Sequence, residues 1–174
     1  MTHQIAVLFA RADSIYKSFA NVDVWDEARD ARKWQGGCSL VAHPPCAQWS
    51  KLKGLAHKDE WIKSHAPWAV AQIRKYGGVL EHPQGSDLWK FCQLPKPGHL
   101  PDDFGGYALL VDQVHWGHKA RKRTLLYIVG CALSDLPPFP KIAKKPTHII
   151  HTSSRKNRKL LYLCLLYTSP SPRD

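Results

Sequence analysis

The chain has 174 residues, of which 44% are hydrophobic and 22% charged, a composition typical of one globular domain with a single core. The formal net charge of +11 favours a polyanionic partner such as DNA or RNA, the alternative being a generally basic protein without such a partner. The sequence shows neither a signal-peptide pattern nor a membrane-length apolar run, so we expect a cytoplasmic protein with no membrane partner. The five cysteines form no Cys-x-x-Cys pair, which indicates reduced thiols rather than a disulfide frame.

The first half of the chain predicts three short strands. Residues 5–9 form a continuous apolar run, and residues 22–26 form a second run with acids at and near its end. Residues 39–42 predict a third strand, which leads directly into His43-Pro44-Pro45-Cys46. The two prolines fix their own φ angles and restrict the residues before them, so the cysteine is expected on a stiff turn.

The second half predicts one clear helix and further strands. The helix spans residues 66–76, with Ser64 as its cap and Gly77-Gly78 at its end. Residues 79–81, 107–114, 124–129 and 148–151 predict strands, whereas residues 84–106 and 135–146 are rich in turn-forming residues. Alternating strands and helices predict an α/β fold, namely a Rossmann-like three-layer sandwich with a mostly parallel sheet in a single domain over residues 1–152.

The last residues are set apart from this domain. Residues 164–174 resemble a translated sequencing-library adapter, so we exclude them from fold reasoning and expect them to be dispensable. A native tail rich in Ser and Pro is the alternative. Residues 153–163 are then interpreted as the start of a truncated C-terminal segment.

Three motifs place reactive or polar side chains at predicted strand ends. Cys46 follows the third strand, Glu81 ends the strand at residues 79–81, and Gln113 lies at the end of the strand at residues 107–114. The carboxyl ends of strands in α/β sheets are where ligands bind. The sequence therefore predicts that these residues contribute to one site.

In this order the three motifs resemble those of cytosine-C5 DNA methyltransferases, and small phage-encoded proteins with the same three blocks are also similar. The resemblance covers about residues 39–130. It implies that Cys46 is a nucleophile that adds to C6 of a cytosine and that Glu81 contacts the base. Only a thiolate attacks, so Cys46 would need a lowered pKa, and a glutamate in an apolar pocket can retain its proton. We expect Cys46 to be accessible, with Cys92 and Cys131 packed in the core.

The resemblance also implies partners and a cofactor. It predicts that DNA is contacted by a group of residues after the first and third motifs: Pro45, Gln48, Trp49, Ser50, Gln113, His115, Trp116, His118, Lys119, Arg121 and Lys122. It predicts S-adenosylmethionine (SAM) as the cofactor, placed by order along the chain at Phe9, Asp23, Asp26 and Asp30.

The chain departs from this family at several positions. His82 replaces the family's asparagine, and His115 and Gly117 replace its two arginines. The glycine-rich first loop that approaches SAM has no counterpart, because residues 8–14 contain no glycine. The chain is thus expected to be either a methyltransferase-like enzyme or a catalytically inactive relative that binds nucleic acid.

A metal site is a third reading of the same residues. It would use Cys38, His43, Cys46, His82, His115 and His118. Their spacings match no compact zinc pattern, so we expect no metal.

Overall fold

One mixed six-stranded sheet organises the computed structural model, which describes residues 4–51, 53–140 and 146. The strands are β1 (Ile5–Ala10), β2 (Val22–Asp26), β3 (Leu40–Ala42), β4 (Gly78–Pro83), β5 (Tyr107–Asp112) and β6 (Arg123–Val129). Their order across the sheet is β2-β1-β3-β4-β6-β5. Strands β1 to β4 run parallel to their neighbours in this order, whereas β6 lies antiparallel between β4 and β5.

Two α-helices are present in the described ranges, α1 (Glu60–Tyr76) and the single turn α2 (Leu88–Phe91). Helix α1 begins six residues earlier than predicted, because Asp59 rather than Ser64 accepts the hydrogen bond from Ile62 N. Pro67 consequently lies inside the helix, where it leaves the carbonyl of Lys63 without its usual donor. The indole Nε1 of Trp49 donates to this carbonyl at 3.0 Å.

Most of the core lies on one face of the sheet. On this face α1 buries Ala66, Ala69, Val70 and Ile73 against β3, β4 and β6. Trp34, Leu88 and Leu94 extend the same apolar cluster from the connecting segments. The small side chains of α1 allow the helix to lie close to the strands.

The other face of the sheet has much less cover among the described residues. Val7, Ala10 and Val24 form a small cluster there with Tyr16. Beyond this cluster lies an open apolar cavity of about 600 Å³, floored by side chains of the four strands β3, β4, β5 and β6. Its far wall is formed by residues 136–139.

The predicted three-layer sandwich is therefore wrong. The described residues form a sheet-dominated mixed structure in which the helical cover lies on one face. The physical reason is that the two early connections hold only the 3₁₀ turns Ile15–Ser18 and Ala31–Lys33. A turn of three or four residues cannot supply the apolar stripe of a covering helix.

The individual strands agree well with the sequence patterns. The predictions at residues 5–9, 22–26, 39–42, 79–81 and 124–129 coincide with β1, β2, β3, β4 and β6 to within two residues at each end. The prediction at residues 107–114 is two residues longer than β5. The predictions for residues 148–151, 153–163 and 164–174 fall outside the described part of the chain.

No described helix is both long and apolar enough to cross a membrane.

Candidate functional site

The site forms where the chain changes direction across the sheet. From β1 the chain continues to β2 on one side, whereas β3 lies on the other side of β1. Such a switch point opens a crevice at the carboxyl ends of the strands. The turn after β3 enters this crevice, and the backbone N–H of His43 donates to the carbonyl of Leu8 at 3.1 Å. The residues after Cys46 form a helical turn in which Ser50 N donates to the Cys46 carbonyl at 2.9 Å.

Glu81 is the centre of the hydrogen-bond network. His43 Nδ1 donates to Glu81 Oε2 at 2.7 Å, and Gln113 Nε2 donates to Glu81 Oε1 at 2.6 Å. Gln113 Nε2 also donates to Thr124 Oγ1 at 2.9 Å. The ammonium of Lys122 lies 3.7 Å from Glu81 Oε1. Glu81 on β4 is thus contacted by residues that directly follow β3 and β5 and by one that directly precedes β6.

The network keeps Glu81 ionised. Burial by itself raises the pKa of this carboxyl, but the hydrogen bond from His43, the charge of Lys122 and the Gln113 amide outweigh it. The net effect is a pKa below the usual value for glutamic acid. Burial in a pocket, which can leave a glutamate protonated, is thus outweighed at Glu81 by its donors.

Cys46 lies beside this network in a tight, small cavity. Its neighbours there are His43, Pro44, Glu81, Pro83 and Lys122. Burial raises the pKa of the Cys46 thiol, and the nearby carboxylate adds to the rise, while the Lys122 charge opposes it. The lowered pKa that a free thiolate would need is not found, so Cys46 carries its proton at neutral pH.

The predicted accessibility of Cys46 is wrong, whereas the predicted packing of Cys92 is confirmed, since it packs against the core cluster. Cys46 is only 8% exposed, whereas Cys92 and Cys131 are half-buried. Cys46 begins a helical turn, and Trp49 in that turn is packed in the core cluster. A reagent must therefore enter the small cavity to reach Cys46.

Several buried polar atoms of the site have no hydrogen-bond partner among the described residues. They are His43 Nε2, Gln113 Oε1 and Lys122 Nζ. The side chains of His43 and Lys122 are 6% and 12% exposed. Buried polar groups are nearly always satisfied in native proteins, so a cluster of unsatisfied ones marks a place where a ligand can bind.

Of the residues predicted to contact nucleic acid after the first motif, one is exposed and the other three are buried or bonded to nearby parts of the chain. Pro45 is exposed, whereas Trp49 is buried at 4% exposure and cannot stack on a base in this position. Gln48 is held by both backbone groups of Asp59 and therefore positions the start of α1. The hydroxyl of Ser50 donates to the carbonyl of Ala47.

The residues around the third motif also divide. Gln113 and Lys122 belong to the buried network, as described above. Exposed Trp116 lies at the edge of the large cavity with its ring against His115 and Phe139. The remaining members lie on the surface beside the site or engage nearby groups of the chain: His118 with the backbone of Ala120, Arg121 with Asp112, and exposed Lys119.

The residues predicted to hold SAM lie near the ends of β1 and β2, but their polar atoms are engaged. Asp23 accepts from Arg29 and from the indole of Trp25. Asp26 accepts from Lys17 through one oxygen and from the backbone N–H of Arg29 through the other. Both carboxylates therefore already form ion pairs within the chain.

The remaining two members of that group have local roles. The Asp30 carboxylate accepts from Arg32 N and caps a 3₁₀ turn. Phe9 has a left-handed backbone with φ of 60°, and its ring packs against His65 and Trp68. The place where the family has glycine is thus filled by an aromatic side chain.

The residues considered for a metal site all lie within the described ranges. Within them no three His, Cys, Asp or Glu side chains are grouped so that they could hold a metal ion. His82, for example, points into the core and bonds to Ser86 at 2.8 Å, away from Cys46.

Two members of the site were not assigned a role from the sequence. His43 was considered only as a metal ligand, although it bonds directly to Glu81. Tyr16 was not considered, yet its ring stacks on that of His43 with 5.9 Å between centroids. The adjacency of His43 to the Pro-Pro-Cys turn was the available signal for the first, and no local pattern marks the second.

No protein-family model matches the chain, and no curated protein has a matching sequence. The candidate site therefore rests on its own geometry.

Proposed function

We propose that the chain is a cytosine-C5 DNA methyltransferase-like protein that binds a pyrimidine base and activates it through Cys46. The observation that carries the proposal is that Cys46, Glu81 and Lys122 line one small cavity, with Gln113 bonded to Glu81, although these residues are far apart along the chain. The net charge of +11 supports DNA as the partner.

The chemistry of activation follows from the side chains present. The sulfur of Cys46 forms a bond to C6 of the base, and the C5–C6 π bond breaks. The displaced electron pair is delocalised between C5 and the N3–O2 side of the ring. The Lys122 ammonium, held in a buried place with no hydrogen-bond partner among the described residues, can stabilise this negative charge. C5 then accepts a proton or another electrophile, and loss of the C5 proton with departure of the sulfur restores the base.

The proposal concerns activation of the base and not the methyl donor, because the acids expected to bind SAM are held by Arg29 and Lys17. A catalytically inactive relative that binds nucleic acid is the second candidate. The protonated, 8% exposed thiol of Cys46 favours this second candidate.

Hydrogen exchange at C5 separates the two candidates. A cytosine-containing oligonucleotide is incubated with the protein in D₂O, and deuterium at C5 is measured by mass spectrometry. We expect exchange with the wild type and none with Cys46→Ala. The matched control is Cys131→Ser, a half-buried thiol outside the site, which should exchange like the wild type.

The outcomes are distinct. Oligonucleotide binding without C5 exchange would support the non-catalytic candidate and refute the enzyme. Absence of binding, measured by fluorescence anisotropy at low salt, would refute both candidates. Exchange that survives Cys46→Ala would remove Cys46 from the chemistry.

A further inference from the structure

The thiol of Cys46 needs a base. It is buried, and burial disfavours the thiolate. Addition of sulfur to a pyrimidine therefore requires a group that removes the thiol proton as the S–C6 bond forms. Glu81 is poorly suited to this task, because both of its oxygens already accept hydrogen bonds, one from His43 and one from Gln113.

His43 shares the small cavity with Cys46, although no hydrogen bond joins the two side chains. It precedes Cys46 by three residues on the same stiff turn and lines the same small cavity. Its backbone is tied to Leu8, and its ring is stacked on Tyr16. The ring is therefore fixed from two sides, with 6% of the side chain exposed.

The hydrogen bond to Glu81 also fixes the tautomer of the ring. A carboxylate only accepts hydrogen bonds, so the Nδ1 of His43 carries the proton. In the neutral imidazole the lone pair is then on Nε2, the atom that is buried and has no partner among the described residues. A nucleophile, a base and a carboxylate that orients the base form the arrangement used to activate nucleophiles in many enzymes.

We propose that His43 is the general base that deprotonates Cys46, with Glu81 as the residue that orients it; this inference rests on the proposed function. As sulfur bonds to C6, the thiol proton moves to Nε2, and the resulting imidazolium is stabilised by the Glu81 carboxylate. When the C5 proton has left the base, the C6–S bond breaks. The sulfur regains a proton from the imidazolium, which returns both groups to their starting states.

The charged and titratable groups that face His43 come from every neighbouring element. They are Glu81 on β4, Tyr16 on the 3₁₀ turn after β1, Lys122 before β6 and Cys46 itself. The Lys122 ammonium has three donors and no lone pair with which to accept a proton. Among these groups, His43 is the one with both a free lone pair and a carboxylate partner.

The test compares two readouts in His43→Gln. One is C5 exchange in the cytosine oligonucleotide, which we expect to fall at least about 100-fold. The other is alkylation of Cys46 by iodoacetamide at pH 7, followed by mass spectrometry, which needs no pyrimidine and should slow by at least about tenfold. Oligonucleotide affinity should not change. The matched control is His65→Gln. His65 lies on α1, outside the network, and its ring packs against Phe9 of β1.

A variant that misfolds is recognised by its melting temperature, and His43→Ala then provides the second measurement. Added imidazole should restore at least part of its C5 exchange, an effect that a merely structural role would not produce. Unchanged alkylation and exchange in folded His43→Gln would overturn the proposal. If the wild type shows no exchange, the proposed function fails, whereas the alkylation comparison still decides the role of His43.

Discussion

At the residue scale, the molecule concentrates its polar chemistry on Glu81. A single carboxylate receives hydrogen bonds from His43 and Gln113 and lies near the Lys122 charge. Because each oxygen has a neutral or cationic donor, the carboxylate is stable as an anion although it is buried. His43 and Gln113 directly follow β3 and β5, and Lys122 directly precedes β6, so the carboxylate on β4 connects the ends of four strands.

The neighbouring residue His82 gives a pH prediction. It is 1% exposed, and burial lowers its pKa from 6.5 to about 4. The folded state therefore binds its proton less readily than the unfolded state does. The contribution of the neutral His82 to stability is fully present above pH 6.5 and is lost as the pH drops toward 4. The free energy of unfolding falls by about 3 kcal/mol in total over this range. Denaturant unfolding of wild type and His82→Asn between pH 7 and 4 measures this pH dependence. The free energy of unfolding of the variant should fall less steeply with decreasing pH, because the buried imidazole is absent.

The control for this prediction is the exposed histidine His99, for which His99→Asn should leave the slope unchanged. An equal slope in wild type and His82→Asn would contradict the burial of a neutral imidazole at this position.

The site shows how far sequence patterns reach at this scale. Cys46, Glu81 and Gln113 were predicted to meet because each lies at a strand end, and the structure brings them together. The protonation states of Cys46 and Glu81 could not be predicted from the sequence. They depend on burial and on His43, whose contact with Glu81 arises only when β3 and β4 are paired.

At the element scale, the pairing of β3 with β4 depends on Gly78. Its backbone has φ of 132°, and a Cβ there would overlap the backbone oxygen of Leu40. Residues other than glycine rarely adopt such a backbone. The short strand β3 can therefore approach β4 only where this position has no side chain.

We expect Gly78→Ala to lower the free energy of unfolding by at least about 3 kcal/mol, since both the left-handed backbone and the overlap oppose it. Chemical denaturation followed by circular dichroism measures the change. The matched control is Gly54→Ala, where a Cβ would meet nothing within 4 Å, and its effect should stay below about 1 kcal/mol. Similar values for the two variants would contradict the close contact between β3 and β4.

At the scale of the whole molecule, the two faces of the sheet differ in their packing. Leu125 and Leu126 are neighbours on β6 and point to opposite faces. Leu125 belongs to the core cluster under α1, whereas Leu126 lines the open cavity. We expect Leu125→Ala to cost about 2–4 kcal/mol and Leu126→Ala less than half as much, as measured by urea unfolding. Equal costs would mean that the second face is as well packed as the first.

This asymmetry explains why the strands were predicted well and the layers were not. Apolar runs such as residues 5–9 and 124–129 indicate buried strands wherever they pack. Which face is covered depends on the connections, and those after β1 and β2 contain only short 3₁₀ turns. The position of β6 between β4 and β5 was also beyond local patterns, because it is decided by pairing across the chain.

The position of β6 has a consequence for synthesis on the ribosome. Residues 123–129 are made after β5, yet they must enter between two strands that have already been translated. At about 5–20 residues per second, Glu81 is synthesised seconds before Lys122 and β6. During that interval the nascent chain carries Cys46 and Glu81 with an unpaired β4 edge, which favours contact with chaperones or other chains. The complete polar network is therefore a late product of translation.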